Sequence, residues 1–175
     1  MTWPMGLIRG TMRAPSILAL LGHRALLVGP THLGANELPR PPLVLLGGTA
    51  QWLDSWMGHL TALSRKRSVL LYETRGQGGG LALPGTRQCD DADIDLTRHA
   101  ADFWEILDDS GIAKDSSEGV DVVAFSFGAR VVMCAAAEPR PSSASTLRRL
   151  CLTGVSADRG ARGRLALQSW RQSLV

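Results

Sequence analysis

The chain has 175 residues, 45% of them apolar and 20% charged, and 19 basic against 16 acidic side chains give a formal net charge of +3. This length holds one domain with a sizeable core, and the composition excludes a disordered chain, a collagen-like fibre and a multi-span membrane protein. So small a basic excess is no nucleic-acid stripe; three cysteines without a C-x-x-C pair argue against a disulfide scaffold or cysteine-rich zinc site and for a reducing, intracellular setting.

Residues 1–42 read as an N-terminal extension. Met1 to Asn36 contain no acidic residue, whereas Arg9, Arg13 and Arg24 are basic. The apolar run Ser16 to Leu21 is interrupted at Gly22-His23-Arg24 and resumes from Ala25 to Val28. Neither half approaches the roughly 20 apolar residues that span a bilayer, so no integral membrane association is expected. Two readings fit. The first is a removable transit peptide, which the missing acids favour and which would take a eukaryotic protein to a mitochondrion or plastid, the location being cytoplasmic otherwise; the second is a β-hairpin turning at Gly22 and His23. Pro39-Arg40-Pro41-Pro42 then forms an extended linker.

Leu43 to Leu46 is a short continuous apolar run closed by Gly47-Gly48, the pattern of a strand buried on both faces. Trp52, Trp56, Met57, Leu60 and Leu63 follow at helical spacing. Ser68 to Tyr72 is a second strand, and Asp93 to Leu107 a second helix with acidic residues near its start. Val120 to Phe125, Phe127 to Ala137 and Arg149 to Thr153 complete a strand, a small-residue helix and a fourth strand. Alternating strands and helices of this length imply right-handed crossovers and a mostly parallel sheet flanked by helices. The fold class is α/β, with its core over 43–155.

The sharpest local feature is Ala124-Phe125-Ser126-Phe127-Gly128 between the third strand and its helix. A serine there, with small residues two positions before and after, matches a nucleophile elbow. Bulk at either flank would collide as strand and helix approach. Free amides at the helix start, that of Phe127 first, favour developing negative charge. Upstream, Gly47-Gly48-Thr49 ends a strand where a second backbone donor would lie, and Thr49 is the candidate. The competing reading is a serine that merely caps the following helix.

With Gly47-Gly48, then Glu73-Thr74-Arg75-Gly76-Gln77-Gly78, then Ala124 to Gly128 in this order, the chain resembles the α/β-hydrolase superfamily over about Leu43 to Val155. The resemblance implies a serine hydrolase acting on a small-molecule ester, thioester or related carbonyl compound, with no cofactor and no metal. It implies Ser126 as nucleophile, the Thr49 and Phe127 amides as oxyanion donors, and an acid and then a histidine after the serine. Two residues depart from the pattern: Gly47 stands where the family often has histidine, and Glu73 stands for aspartate in a structural position.

No histidine follows Ser126; His23, His32, His59 and His99 all precede it. His59 and His99 fall on predicted helices and read as surface or edge residues. Asp158 is the candidate acid, the alternative being a polar entry to a cap or lid helix that starts within 156–175. The expectation is thus an incomplete hydrolase whose fourth strand is uncovered on its outer side, with a catalytically silent binding module as the rival.

Other features read plainly. Gly76 to Gly80 is a loop, because Pro84-Gly85 breaks the helix that a dinucleotide fingerprint requires. Asp90, Asp91, Asp93 and Asp95 read as helix-start acids, not metal ligands. Seven arginines against the single acid Asp158 between Arg140 and Arg171 read as a solvated face. Cys134 and Cys151 read as core, and Trp52 and Trp56 as packing.

Overall fold

The computed structural model describes residues 16–20, 23–31, 33, 38–77, 95–112, 116–137 and 146–155. Among the described residues, six strands, β1 (Ser16–Leu20), β2 (His23–Val28), β3 (Leu43–Leu46), β4 (Val69–Tyr72), β5 (Val120–Phe125) and β6 (Leu147–Thr153), form one sheet in the order β1-β2-β4-β3-β5-β6. The last four in that order run parallel; β1 and β2 are an antiparallel hairpin laid against β4. Ser16–Leu20 and His23–Val28 are thus paired strands, while Gly22, the expected turn residue, lies outside the described residues. Ala25 to Val28 are buried in the sheet.

The crossovers are α1 (Met57–Leu63, entered through a 3-10 turn over Leu53–Trp56), α2 (Leu96–Ser110) and α3 (Phe127–Ala137). Alternate strand residues divide between two cores. Leu26, Leu43, Leu45, Val69 and Leu71 meet Leu53 and Leu60 on the α1 face. Ala25, Val44, Leu46, Leu70, Val122 and Ala124 meet Phe103, Ile106, Leu107, Val131 and Val132 on the α2–α3 face. Central strands buried on both sides explain why their sequences are unbroken apolar runs. Trp104 Nε1 donates to Ala135 O at 3.1 Å and ties α2 to α3. Asp95 caps α2, accepting from the Arg98 amide at 2.6 Å, and Gly111 ends it at φ 63°.

Three expectations need correction. Trp52 to Leu63 is not one helix, because Glu73 Oε1 accepts the Leu53 amide at 3.0 Å and the first turn tightens to 3-10. Trp52 is 52% exposed, whereas Trp56 does pack against the α1 face. Cys151 is exposed, because among the described residues β6 is the edge of the sheet; Cys134 packs against the core. Cys89, the run Asp90 to Asp93 and residues 156–175, Asp158 included, lie outside the described residues. Among the described residues no helix is long and apolar enough to cross a membrane, and no cluster of three or more potential metal ligands occurs.

Candidate active site

Strand order reverses at β3. From there the chain crosses through α1 to β4 on one side, while β5, leading into α3 on the opposite face, lies on the other. The carboxyl ends of β3 and β5 thus flank a crevice at a topological switch point, the place where open α/β sheets bind ligands. The two loops that leave these ends are Gly47 to Gln51 and the turn at Ser126.

Among the described residues, Ala50 (φ 60°) and Ser126 (φ 52°) are the two non-glycine residues with positive φ, one in each loop. For an L-residue that conformation costs about 1–2 kcal/mol. It is also the sharp turn that lifts a side chain off the strand end, and it is not the geometry of a helix-capping serine, which is extended. Ser126 is half-buried, its amide donates to Thr153 O at 2.8 Å, and its carbonyl accepts from Arg130 at 3.3 Å as α3 begins. Phe127 supplies the first amide of α3, one of the donors that a helix start leaves without an intrahelical partner.

The loops touch through glycines. A Cβ built on Gly128 would lie 2.5 Å from Gly47 O and 2.7 Å from Leu46 Cβ; one on Gly48 would lie 3.0 Å from Ser126 Cβ and 3.1 Å from Phe125 Cδ1. The Gly128 amide donates to Gly47 O at 3.1 Å, which locks α3 onto the end of β3. Phe125, 41% exposed, has its ring against Gly48 on one side and Gly154 on the other. It presents an apolar wall beside Ser126. Thr49 follows Gly48 and is exposed. Ser126, Phe127 and the Gly48–Thr49 loop are thus brought together, while Asp158 lies outside the described residues.

Beneath the elbow lies a buried polar cluster that the sequence reading missed. Asp102, fully buried on α2, accepts two bonds from Arg75 (Nη2 to Oδ1 2.7 Å, Nε to Oδ2 2.9 Å) and ion pairs with Arg98 at 3.1 Å. His23 bridges it to the end of β4, with Nε2 3.2 Å from Asp102 Oδ2 and Nδ1 2.9 Å from Glu73 O. His99 is 2% exposed, not a surface residue, and its ring stands edge-on to Phe127 at 5.0 Å. Among the described residues, His99 Nε2 and Tyr72 Oη have no hydrogen-bond partner. His99 therefore supports the elbow by packing and does not hold the serine hydroxyl. Glu73 keeps the structural place expected of it: it is buried and meets the Leu53 amide and Arg24 at 3.5 Å.

The cluster makes folding acid-sensitive. Burial opposes charge on Asp102, yet the hydrogen bonds and charges of His23 and Arg75 outweigh it and hold the carboxyl well below its usual range. Burial, then the neighbouring His23 and Arg75, lowers His99 against the pull of Asp102 and Asp95. A group with a depressed folded pKa stabilises above its unfolded value and loses that contribution as pH falls through the folded one. The His99 contribution should fade below pH about 6.5 and that of Asp102 below about 3.9, each by at most about 1.4 kcal/mol per pH unit. Urea melts from pH 8 to 3 should show both limbs, and His99→Phe should flatten the upper one; an unchanged upper limb would contradict its assignment to His99.

No protein-family model matches the sequence, and no curated protein does. Solved structures do match. An α/β hydrolase enzyme from a Medee basin deep-sea metagenome library aligns with a TM-score of 0.64 at 18% identity, over 90% of this chain and 50% of its own. An α/β hydrolase fold protein from Burkholderia ambifaria aligns at 0.55 and 24% identity, over 89% of this chain and 52% of its own. A mutant of potato epoxide hydrolase aligns at 0.60 and 18% identity, over 88% and 45%. The chain spans about half the length of these structures. Identities this low speak for architecture alone, and that architecture, a mostly parallel sheet with a sharp serine turn at its switch point, is the α/β-hydrolase fold.

Proposed function

We propose that this chain forms the nucleophile-bearing part of a serine hydrolase acting on a carboxylic ester, thioester or related carbonyl compound. The observation that carries the reading is Ser126, held at φ 52° at the switch point, directly across from Gly48. In this reading Ser126 Oγ attacks the carbonyl carbon and its proton passes to a base. The amides of Phe127 and Thr49 hold the oxyanion, the leaving group departs, and water releases the acyl group. Phe125 lines the apolar side of the substrate.

The base is the open requirement. His23 is engaged with Glu73 O and Asp102, His59 is exposed on α1 beside Trp56, and His99 packs under Phe127. The reading therefore draws its base from outside the described residues, with Asp158 as the acid that orients it. Without a base in place, a triad site keeps only about 10³–10⁴-fold acceleration over water, so turnover without that base is expected to be slow. That engagement of the described histidines also favours a second reading, a non-catalytic module that keeps the crevice for binding.

Labelling with a fluorophosphonate, located by mass spectrometry, separates the two. The hydrolase reading expects slow but specific labelling of Ser126, abolished in Ser126→Ala. Ser126→Gly should abolish it as well while raising stability relative to Ser126→Ala by about 1 kcal/mol, because glycine adopts positive φ without strain. Equal labelling of wild type and Ser126→Ala would rule out the nucleophile and leave the binding module.

A further inference from the structure

Two glutamines, Gln51 outside the motifs and Gln77 at a variable position within Glu73 to Gly78, hold the loop that faces Ser126. We propose that Gln51 and Gln77 are positioning residues that aim the Thr49 amide at the site where an oxyanion would form. This rests on the reading of Ser126 as nucleophile.

Gln51 explains the glycine found where the superfamily often has histidine. A Cβ on Gly47 would lie 2.8 Å from Gln51 Cβ and 3.2 Å from Gln51 Oε1, so the space beside Gly47 is filled by the Gln51 side chain. That side chain closes a ring with Gly48. The Gly48 amide donates to Gln51 Oε1 at 2.6 Å, and the Gln51 amide donates to Gly48 O at 3.2 Å. An amide N–H can only donate, which fixes the side-chain oxygen, not the nitrogen, against it. The Gly48 N–H is thereby committed inside the loop.

Gln77 acts from the other side. It lies just beyond β4, and its Oε1 accepts the Ala50 amide at 2.9 Å. Ala50 is one of the two strained residues, and strain of this kind persists only where the surroundings over-determine it. The amides before and after Thr49 are thus each pinned by a glutamine oxygen. Thr49 is left between them as the one amide of the three turned to neither. A donor fixed before the reaction needs no reorganisation during it, which is what makes an oxyanion hole effective.

The test uses the 175-residue chain and a fluorophosphonate, whose phosphoryl oxygen takes the oxyanion position. The labelling rate at Ser126 and the exchange rates of the Gly48 and Ala50 amides are measured together. Gln77→Met, at a half-exposed position, should slow labelling by about tenfold or more and speed Ala50 exchange, with little change in melting temperature. Gln51→Met should do the same at Gly48. Gln51→Glu and Gln77→Glu keep an acceptor oxygen at the same reach and should restore the rate to within about threefold, a rescue that a packing role would not give. Methionine variants that label Ser126 as fast as wild type overturn this inference and leave the nucleophile intact. Wild-type labelling no faster than that of Ser126→Ala overturns the nucleophile reading and this inference with it.

Discussion

Replacing Asp102 by alanine should be among the most damaging single changes in the molecule, costing about 3–5 kcal/mol, as breaking a buried ion pair from one side does. The carboxylate is 1% exposed and faces Arg75, Arg98 and His23 at 2.7–3.2 Å. Removing it leaves a buried histidine and two guanidinium groups turned toward one another. Arg75→Ala should cost less, near about 3 kcal/mol, because His23 and Arg98 still face the stranded carboxylate. Arg98 is 44% exposed, and solvent screens its pair, so Arg98→Ala should cost no more than about 1 kcal/mol. The order Asp102, Arg75, Arg98 is the prediction, read from urea midpoints at pH 7. Against a typical domain stability of about 5–15 kcal/mol, the first change would unfold a marginal protein outright. An Arg75→Ala variant within about 1 kcal/mol of wild type would mean that the cluster is an ornament of the fold and not one of its supports.

This cluster also shows where sequence reading runs out. Leu43 to Leu46, Val120 to Phe125 and Phe127 to Ala137 end where their residues predict, because central strands must be apolar on both faces and a sharp turn must separate strand from helix. The hairpin at 16–28 is ambiguous in sequence, since two short apolar runs without acids fit a leader as well as a pair of strands. His99 lies three residues after Leu96 and four before Phe103, on the stripe that α2 buries, so its burial was legible and its polarity concealed it. The pairing of His23 with Asp102 was not legible, because it joins residues 79 apart through the hairpin's place at the edge of β4. The roles of Gln51, outside the motifs, and of Gln77, at a variable position of the Glu73 to Gly78 motif, were not legible either. Each reaches a backbone amide, a partner that leaves no trace in the residue types around it. Cys151 shows the reverse failure: its strand is expected to be uncovered on its outer side, and among the described residues it is the sheet edge, yet its apolar neighbours make the cysteine read as core.

The same substitution should have opposite signs at Gly128 and Gly58. Glycine to alanine inside a helix gains about 1 kcal/mol in propensity when nothing obstructs the methyl group. At Gly58 on α1 a Cβ meets nothing within 4 Å, so Gly58→Ala should be stabilising by up to that amount. At Gly128 the methyl would meet Gly47 O at 2.5 Å and Leu46 Cβ at 2.7 Å, main chain and core that cannot swing aside. The start of α3 must then lift from the end of β3, and the 3.1 Å hydrogen bond between Gly128 and Gly47 must stretch. Overpacking of this kind costs about 1–3 kcal/mol or more, enough to overturn the propensity gain. The position two residues before the serine behaves differently: Ala124 already carries a fully buried methyl, so the strand side of the turn accommodates the Cβ that the helix side does not. Lifting α3 would also draw Phe127 and Ser126 away from the Gly47–Gln51 loop. Gly128→Ala should therefore lower both the melting temperature and the rate of Ser126 labelling. A variant that melts lower but labels unchanged would separate the fold's need for this glycine from the site's.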